Sequence, residues 1–370
     1  MFRKPKHLGR WIAIALAIGL VCSSQALAKK PPKPPADDGA SYDLVVLAPA
    51  GVQITGSNAY DLDEADNVVG YYLDLDRERN GFYYDRAQES WRLFGPGVVV
   101  FGLNNLGEMV GADWNTGQGL YWSAPEVPPV PLAPLGGHLS SDGFKINDAG
   151  IIVGRSQGNG CSVAVAWSVD AQGVVSAPIE LPFPEGDTRG SVSDLGEEDA
   201  DGISRIVGYS GAVDLRETAL QWEVVIDPDG LLLLSGPSDL GSLDGGPSAA
   251  YGVNSGGEVV GESSNWPFVK PASQPMQPLP GIQKATNGLA GGINDLGQMV
   301  GRQGYLFKGE AVFKAVLWPD AASVIDLNKK VVLGRGEELE SAHAINNAGH
   351  ILASGVFSGI GGAACLLIPK

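Results

Sequence analysis

Apolar and polar positions alternate along this chain in short stretches, broken every few residues by Gly, Asn, Asp or Pro. No stretch keeps the 3.6-residue period of an amphipathic helix. One phrase recurs. It reads GGINDLGQMVG up to Gly301, FGLNNLGEMVG up to Gly111, FKINDAGIIVG up to Gly154, YGVNSGGEVVG up to Gly261 and HAINNAGHILA up to Ala353. Two weaker copies are YDLDEADNVVG, ending at Gly70, and SVSDLGEEDADGISRIVG, ending at Gly208 and carrying an insertion. Each copy predicts an alternating strand, a short turn opened by Asn or Asp and usually closed by Gly, and a second strand of β-branched residues. Asn and Asp hydrogen-bond their own downstream backbone and Gly takes positive φ without a Cβ clash, so the phrase is a β-hairpin.

Aligned on the turn residue (Asp63, Asn104, Asn147, Asp194, Asn254, Asn294, Asn346), the copies form columns. One residue earlier stand Leu62, Leu103, Ile146, Ser193, Val253, Ile293 and Ile345; three earlier, Tyr60, Phe101, Phe144, Ser191, Tyr251, Gly291 and His343. A period of two places both columns on one strand face, with the small residues four earlier, such as Ala59 and Ala250, on the other. A bulky face opposed to a small one lets neighbouring copies nest as stacked sheets.

Most phrases are followed by a third strand ending in an aromatic (GFYY to Tyr84, GLYW to Trp122, AVAW to Trp167, TALQW to Trp222, KAVLW to Trp318) and by a fourth near Trp91, Leu132, Leu181, Leu240, Leu279 and Leu327. The regular phase of the tryptophans marks them as packing residues rather than ligand platforms. Four strands per unit, with units roughly 40–55 residues apart, predict a seven-bladed β-propeller. The seventh unit has no fourth strand of its own, while YDLVVL at 42–47 precedes the first unit without one. Pairing the strand around Val45 with that around Leu366 closes the ring and removes two open edges.

Residues 1–28 read as a secretory signal: Arg3, Lys4, Lys6 and Arg10, an apolar run over 11–22, and Ala26-Leu27-Ala28 as the cleavage site. Residues 29–40 are a Pro-rich linker and 41–370 one repeat domain. The chain carries 42 acidic against 25 basic residues, a formal charge of −17, and loss of the signal removes four of the basic ones. That balance argues against nucleic acid as a partner, and no segment after the signal is apolar enough to span a membrane. Cys161 and Cys365 lie at least three units apart in a ring of seven, which predicts two free, mostly buried thiols.

The unit (S/A)-x-A-x-x-I-N-x-x-G-x-V-V-G, followed by A-(F/V)-x-W and D-L-G, resembles the HAF-type extracellular repeat proteins of bacteria. SAHAINNAGHILA, AVLWPDAASVIDL, SAAYGVNSGGEVVG and SDLGSLDGG are the closest matches, and the resemblance spans 42–370. It implies export and a propeller, and brings no catalytic residue set.

Candidate chemistry is sparse. Asp61 and Lys145 are charges in a column that otherwise reads Gly102, Val192, Gly252, Gly292 and Ala344, so they are candidate ligand-binding residues of a central funnel. Glu197, Asp199 and Asp201 before Gly202 are candidate Ca²⁺ ligands, although their spacing does not complete a calcium loop. His343 stands in an aromatic column and reads as packing. The expectation is a secreted, non-catalytic binding or scaffold propeller without a cofactor, for an extracellular ligand or protein. The alternatives are a hydrolase or lyase acting on a glycan or peptide in the funnel, and a calcium-stabilised adhesion module.

Overall fold

The recurring hairpin is the inner half of a four-stranded antiparallel blade, and seven such blades form a β-propeller. The structure, a computed structural model, describes residues 42–158, 160–211 and 217–370; the signal and linker readings lie outside them. In blades one to six chain order equals sheet order from the channel outward, as in Gly56–Leu62, Val68–Leu73, Arg79–Asp85 and Ser90–Pro96 of blade one. The seventh blade has Glu338–Ile345, Ile351–Phe357 and Gly361–Pro369, and its outermost strand is Tyr42–Val46. Val45 lies opposite Leu366, as the closure argument requires.

The core lies between the blades. Seven apolar clusters each join two neighbours, and the repeated pair of β-branched or similar residues before the terminal Gly supplies two of them at once. Val68 packs toward blade seven and Val69 toward blade two; Ile152 faces blade two and Val153 blade four. A blade buried on both faces has no use for a polar alternate position, which is why these strands read V-V rather than V-T-V. Trp167, Trp222 and Trp318 are fully buried in these interfaces. Their indole N–H groups donate to Ala133 O, Pro182 O and Pro280 O in the loops leaving the preceding blades, each at 2.9 Å. Each Trp therefore packs the interface and satisfies a loop carbonyl together.

Three expectations need correction. The two-residue period fails in every inner strand, because each carries a β-bulge, for example between Ala59 and Asp61 and between Val100 and Gly102. The bulge sends the small column and the column just before the turn into the same inter-blade core (Ala59 with Leu62, Val100 with Leu103, Ala290 with Ile293). The two residues between them turn to the channel. It also explains the phrase-ending Gly: a Cβ on Gly70, Gly111, Gly154, Gly208, Gly261 or Gly301 would lie 2.0–2.1 Å from an inner-strand carbonyl oxygen.

The second correction concerns blade four, where pairing sets Val192 opposite Gly208 and Asp194 opposite Val207. Its register matches Val100 opposite Gly111 and Gly102 opposite Val110 in blade two. Asp194 therefore belongs to the column of Asp61 and Lys145, Val192 does not, and Asp199 opens the turn. The insertion shifted the alignment by two residues. Third, Cys161 is exposed while Cys365 is buried, both free. Cys161 pairs with Gly158 at a hairpin tip, beyond the reach of the core.

Candidate functional site

The inner strands bring one short segment per blade to the axis. Around the turns, the asparagines build a hoop. Each Oδ1 accepts from downstream N–H groups of its own turn, as Asn294 does from Leu296 (3.2 Å) and Gln298 (2.9 Å). Each Nδ2 donates to the corresponding carbonyl of the next blade: Asn104 to Asn147 O (3.0 Å), Asn147 to Gly196 O (3.1 Å), Asn254 to Asn294 O (3.1 Å), Asn294 to Asn346 O (2.9 Å) and Asn346 to Asp63 O (3.1 Å). Blades one and four break the sequence, since Asp63 carries no amide and Gly196 no side chain.

At those two seams a carboxylate takes over. Asp61 Oδ2 accepts from Leu103 N of blade two (3.2 Å), and Asp194 Oδ2 accepts from Val253 N of blade five (3.0 Å). Lys145 Nζ lies between them, 2.7 Å from Asp61 Oδ1 and 3.8 Å from Asp194 Oδ1. Asp61, Lys145 and Asp194 keep only 13, 20 and 22 % of their side-chain surface exposed. Burial alone pulls the Lys145 ammonium down, but the two carboxylates outweigh it and hold its pKa above the ordinary value. Burial raises the Asp194 carboxyl, against the opposing pull of Lys145 and the Val253 N–H. The sequence thus marked two members of this ionic bridge and missed Asp194, whose signal was a misaligned column.

The bridge lines both of two channel cavities. On the turn side, a space of about 150 Å³ is ringed by Glu64, Asn105, Glu197, Ser255, Asp295 and Asn347. These residues are joined tip to tip: Asn105 N and Asp148 N donate to Asp148 Oδ1 and Glu197 Oε2 at 2.8 and 2.9 Å. Burial, with the charges of Asp148, Asp295 and Asp61, pushes the Glu197 carboxyl up to about 7. On the other side, a vestibule of about 340 Å³ is lined by Tyr60, Phe101, Phe144, Tyr251 and His343, with Gly291 and Gly292 leaving blade six bare. His343 Nε2 meets Ser354 Oγ at 2.8 Å, and burial with the nearby Arg302 drives its imidazole down to about 4, so it is neutral at pH 7.

The three acidic residues offered for Ca²⁺ do not converge. Asp199 Oδ1 accepts from Asp201 N and Ile203 N, its Oδ2 lies 2.8 Å from Arg205 Nη2, and Glu197 points into the turn-side cavity. Among the described residues no three His, Cys, Asp or Glu side chains are grouped to hold a metal ion. No helix among them is long and apolar enough to cross a membrane.

Neither a protein-family model nor a curated protein sequence matches the chain. Its fold is similar to solved structures. Streptogramin B lyase is 10% identical over 89% of this chain and 98% of that one, with a TM-score of 0.52. Puromycin hydrolase is 12% identical over 85% of this chain, with a TM-score of 0.52, and the match spans 54% of the hydrolase. Virginiamycin B lyase from Staphylococcus aureus is 11% identical over 88% of this chain and 99% of that one, with a TM-score of 0.47. At these identities the likeness to streptogramin B lyase and puromycin hydrolase is one of fold alone.

Proposed function

We propose that the chain is a secreted, non-catalytic binding propeller of the HAF-repeat kind, exported by cleavage after Ala28, that takes an extracellular ligand in its aromatic vestibule. The observation that carries the reading is the state of the channel charges. Lys145 is held by two carboxylates, and each carboxylate spends its second oxygen on the N–H of the next blade. Groups committed to bracing the ring are poor acids, bases or nucleophiles, whereas the vestibule above them is open and lined with rings, as ligand pockets are.

Gly291 offers a direct test. A Cβ there meets nothing closer than 3.5 Å, and the same column holds Tyr or Phe in other blades. Gly291→Phe should fold normally and fill the vestibule. In a thermal-shift panel of glycans and peptides, ligands that stabilise the wild type should lose their effect on this variant and emerge chemically unchanged. A ligand whose binding survives the filling would overturn the vestibule assignment.

Glu197 favours a second reading, a hydrolase or lyase acting on a glycan or peptide from the turn side. A carboxyl poised near pH 7 in a cavity suits general acid–base work. On that reading Glu197→Gln abolishes a turnover whose pH profile breaks near 7. A profile unmoved by the substitution would refute it.

A further inference from the structure

Trp114 is the one exposed tryptophan among the described residues, with 43% of its surface free. It stands at the tip of the hairpin joining Met109–Asp113 to Gln118–Trp122, on the vestibule side. From it a strip of rings runs inward: Trp114 to Phe101 (6.2 Å between centroids, 42° apart), then Phe101 to Tyr60 (5.0 Å) and to Phe144 (5.7 Å). The Arg79 guanidinium lies at the rim, 5.0 Å from the Trp114 ring and 5.3 Å from the Tyr71 ring. It is exposed, and among the described residues no carboxylate lies within ion-pair distance of it. The backbone fixes this arrangement: Gly97 N donates to Arg79 O (2.8 Å) and Trp114 N to Gly97 O (3.0 Å). A positive φ of 84° at Gly97 makes both bonds from one residue.

The geometry points to a glycan site at this rim, in which a pyranose ring stacks on Trp114 and its carboxylate meets Arg79: a uronate-containing oligosaccharide that enters the vestibule along the ring strip. The inference rests on the binding-propeller reading and names its ligand class. Neighbouring rings in the strip are tilted, not parallel, so they form no slot for a flat aromatic sandwiched on both faces. They suit a ligand with one apolar C–H face and a hydroxyl face left to water. A guanidinium held between two rings and lacking a carboxylate partner is pre-ordered for a planar anion. The chain's charge of −17 opposes any anion at long range, but that field is screened beyond ~8 Å at physiological salt, so contact with Arg79 decides.

Titration calorimetry of the full chain with cellotetraose and with its C6-oxidised tetraglucuronate separates ring from carboxylate. The acid should bind at least ~10-fold more tightly, and Arg79→Gln should erase that preference, leaving the two tetramers with equal affinity. Trp114→Ala should weaken both sugars, with Trp114→Phe recovering part of the loss. Both side chains are exposed, so unchanged melting temperatures will exclude misfolding. Equal affinity for the two tetramers, or a preference that survives Arg79→Gln, overturns the carboxylate site; no binding of either overturns the glycan assignment. Product is followed in the same samples: cleavage of a bound tetramer would overturn the non-catalytic reading and leave the glycan site standing.

Discussion

Replacing Lys145 by Met isolates what the ionic bridge does. The substitution keeps a long side chain in the channel but removes the charge that offsets Asp61 and Asp194. Removing one partner of a buried ion pair typically costs 3–5 kcal/mol because the stranded charge stays desolvated. Here 13 and 22 % of the carboxylate side chains touch channel space, which favours the low end, ~3 kcal/mol. For a domain of this size that lowers the melting temperature by roughly 4 °C near neutral pH. The sign with pH follows from the same charges. With Lys145 gone, the folded-state pKa of the Asp194 carboxyl, which burial already raises, rises further above the unfolded value. Protonation then favours the folded state, so the deficit should shrink as pH falls from neutral toward the ordinary carboxyl range. The variant D61N/K145M/D194N should recover to within ~1 kcal/mol of the wild type, since amide oxygens still accept from Leu103 N and Val253 N. Calorimetric melts of the three proteins at two pH values decide the matter. A K145M protein that melts with the wild type, or a triple variant as unstable as the single one, would show that the bridge does not brace the ring.

Three further outcomes are expected. Deleting residues 41–48 removes the outer strand of blade seven and the buried Leu47, and should cause aggregation in light scattering, whereas deleting 29–38 should leave the melt unchanged; equal behaviour would refute the closure. His343 has a folded pKa of about 4 against an ordinary 6.5, so the wild type loses stability as pH falls through that window, by up to ~3 kcal/mol at its foot. The gap in melting temperature between wild type and His343→Phe should therefore shift in favour of the variant as pH drops, and a constant gap would contradict the assignment. Finally, a thiol reagent should label Cys161 in the native protein and Cys365 only after unfolding, because burial both hides the Cys365 thiol and pushes its pKa up; two fast native thiols would contradict this.

The hairpin phrase, the four-strand unit, the blade count and the closing pair Val45–Leu366 were legible in the sequence, because each follows from turn chemistry, spacing or an unpaired strand. The bulge was not, since it is a backbone feature that erases the two-residue period without adding a residue type of its own. Its trace was the Gly ending six of the seven phrases, which period-two reasoning had no cause to require. The hoop stayed hidden for a different reason. As turn openers Asn and Asp are interchangeable acceptors, but only Asn has an Nδ2 to give to its neighbour. Treating Asp63 and the asparagines as one column concealed that difference, and with it the need for Asp61 and Asp194.

Because every amide link in the hoop points the same way around the axis, the ring is assembled from parts of two kinds. Blades opened by Asn present the same donor forward and the same carbonyl backward, so such a unit could be duplicated, lost or swapped with its neighbour and the joint would still fit. Blades one and four cannot be exchanged in this way. Each needs its aspartate two residues before the turn position, and both depend on a lysine carried by blade three. A change in the number of blades is therefore easiest between blades five and seven, where no joint relies on a side chain borrowed from across the channel.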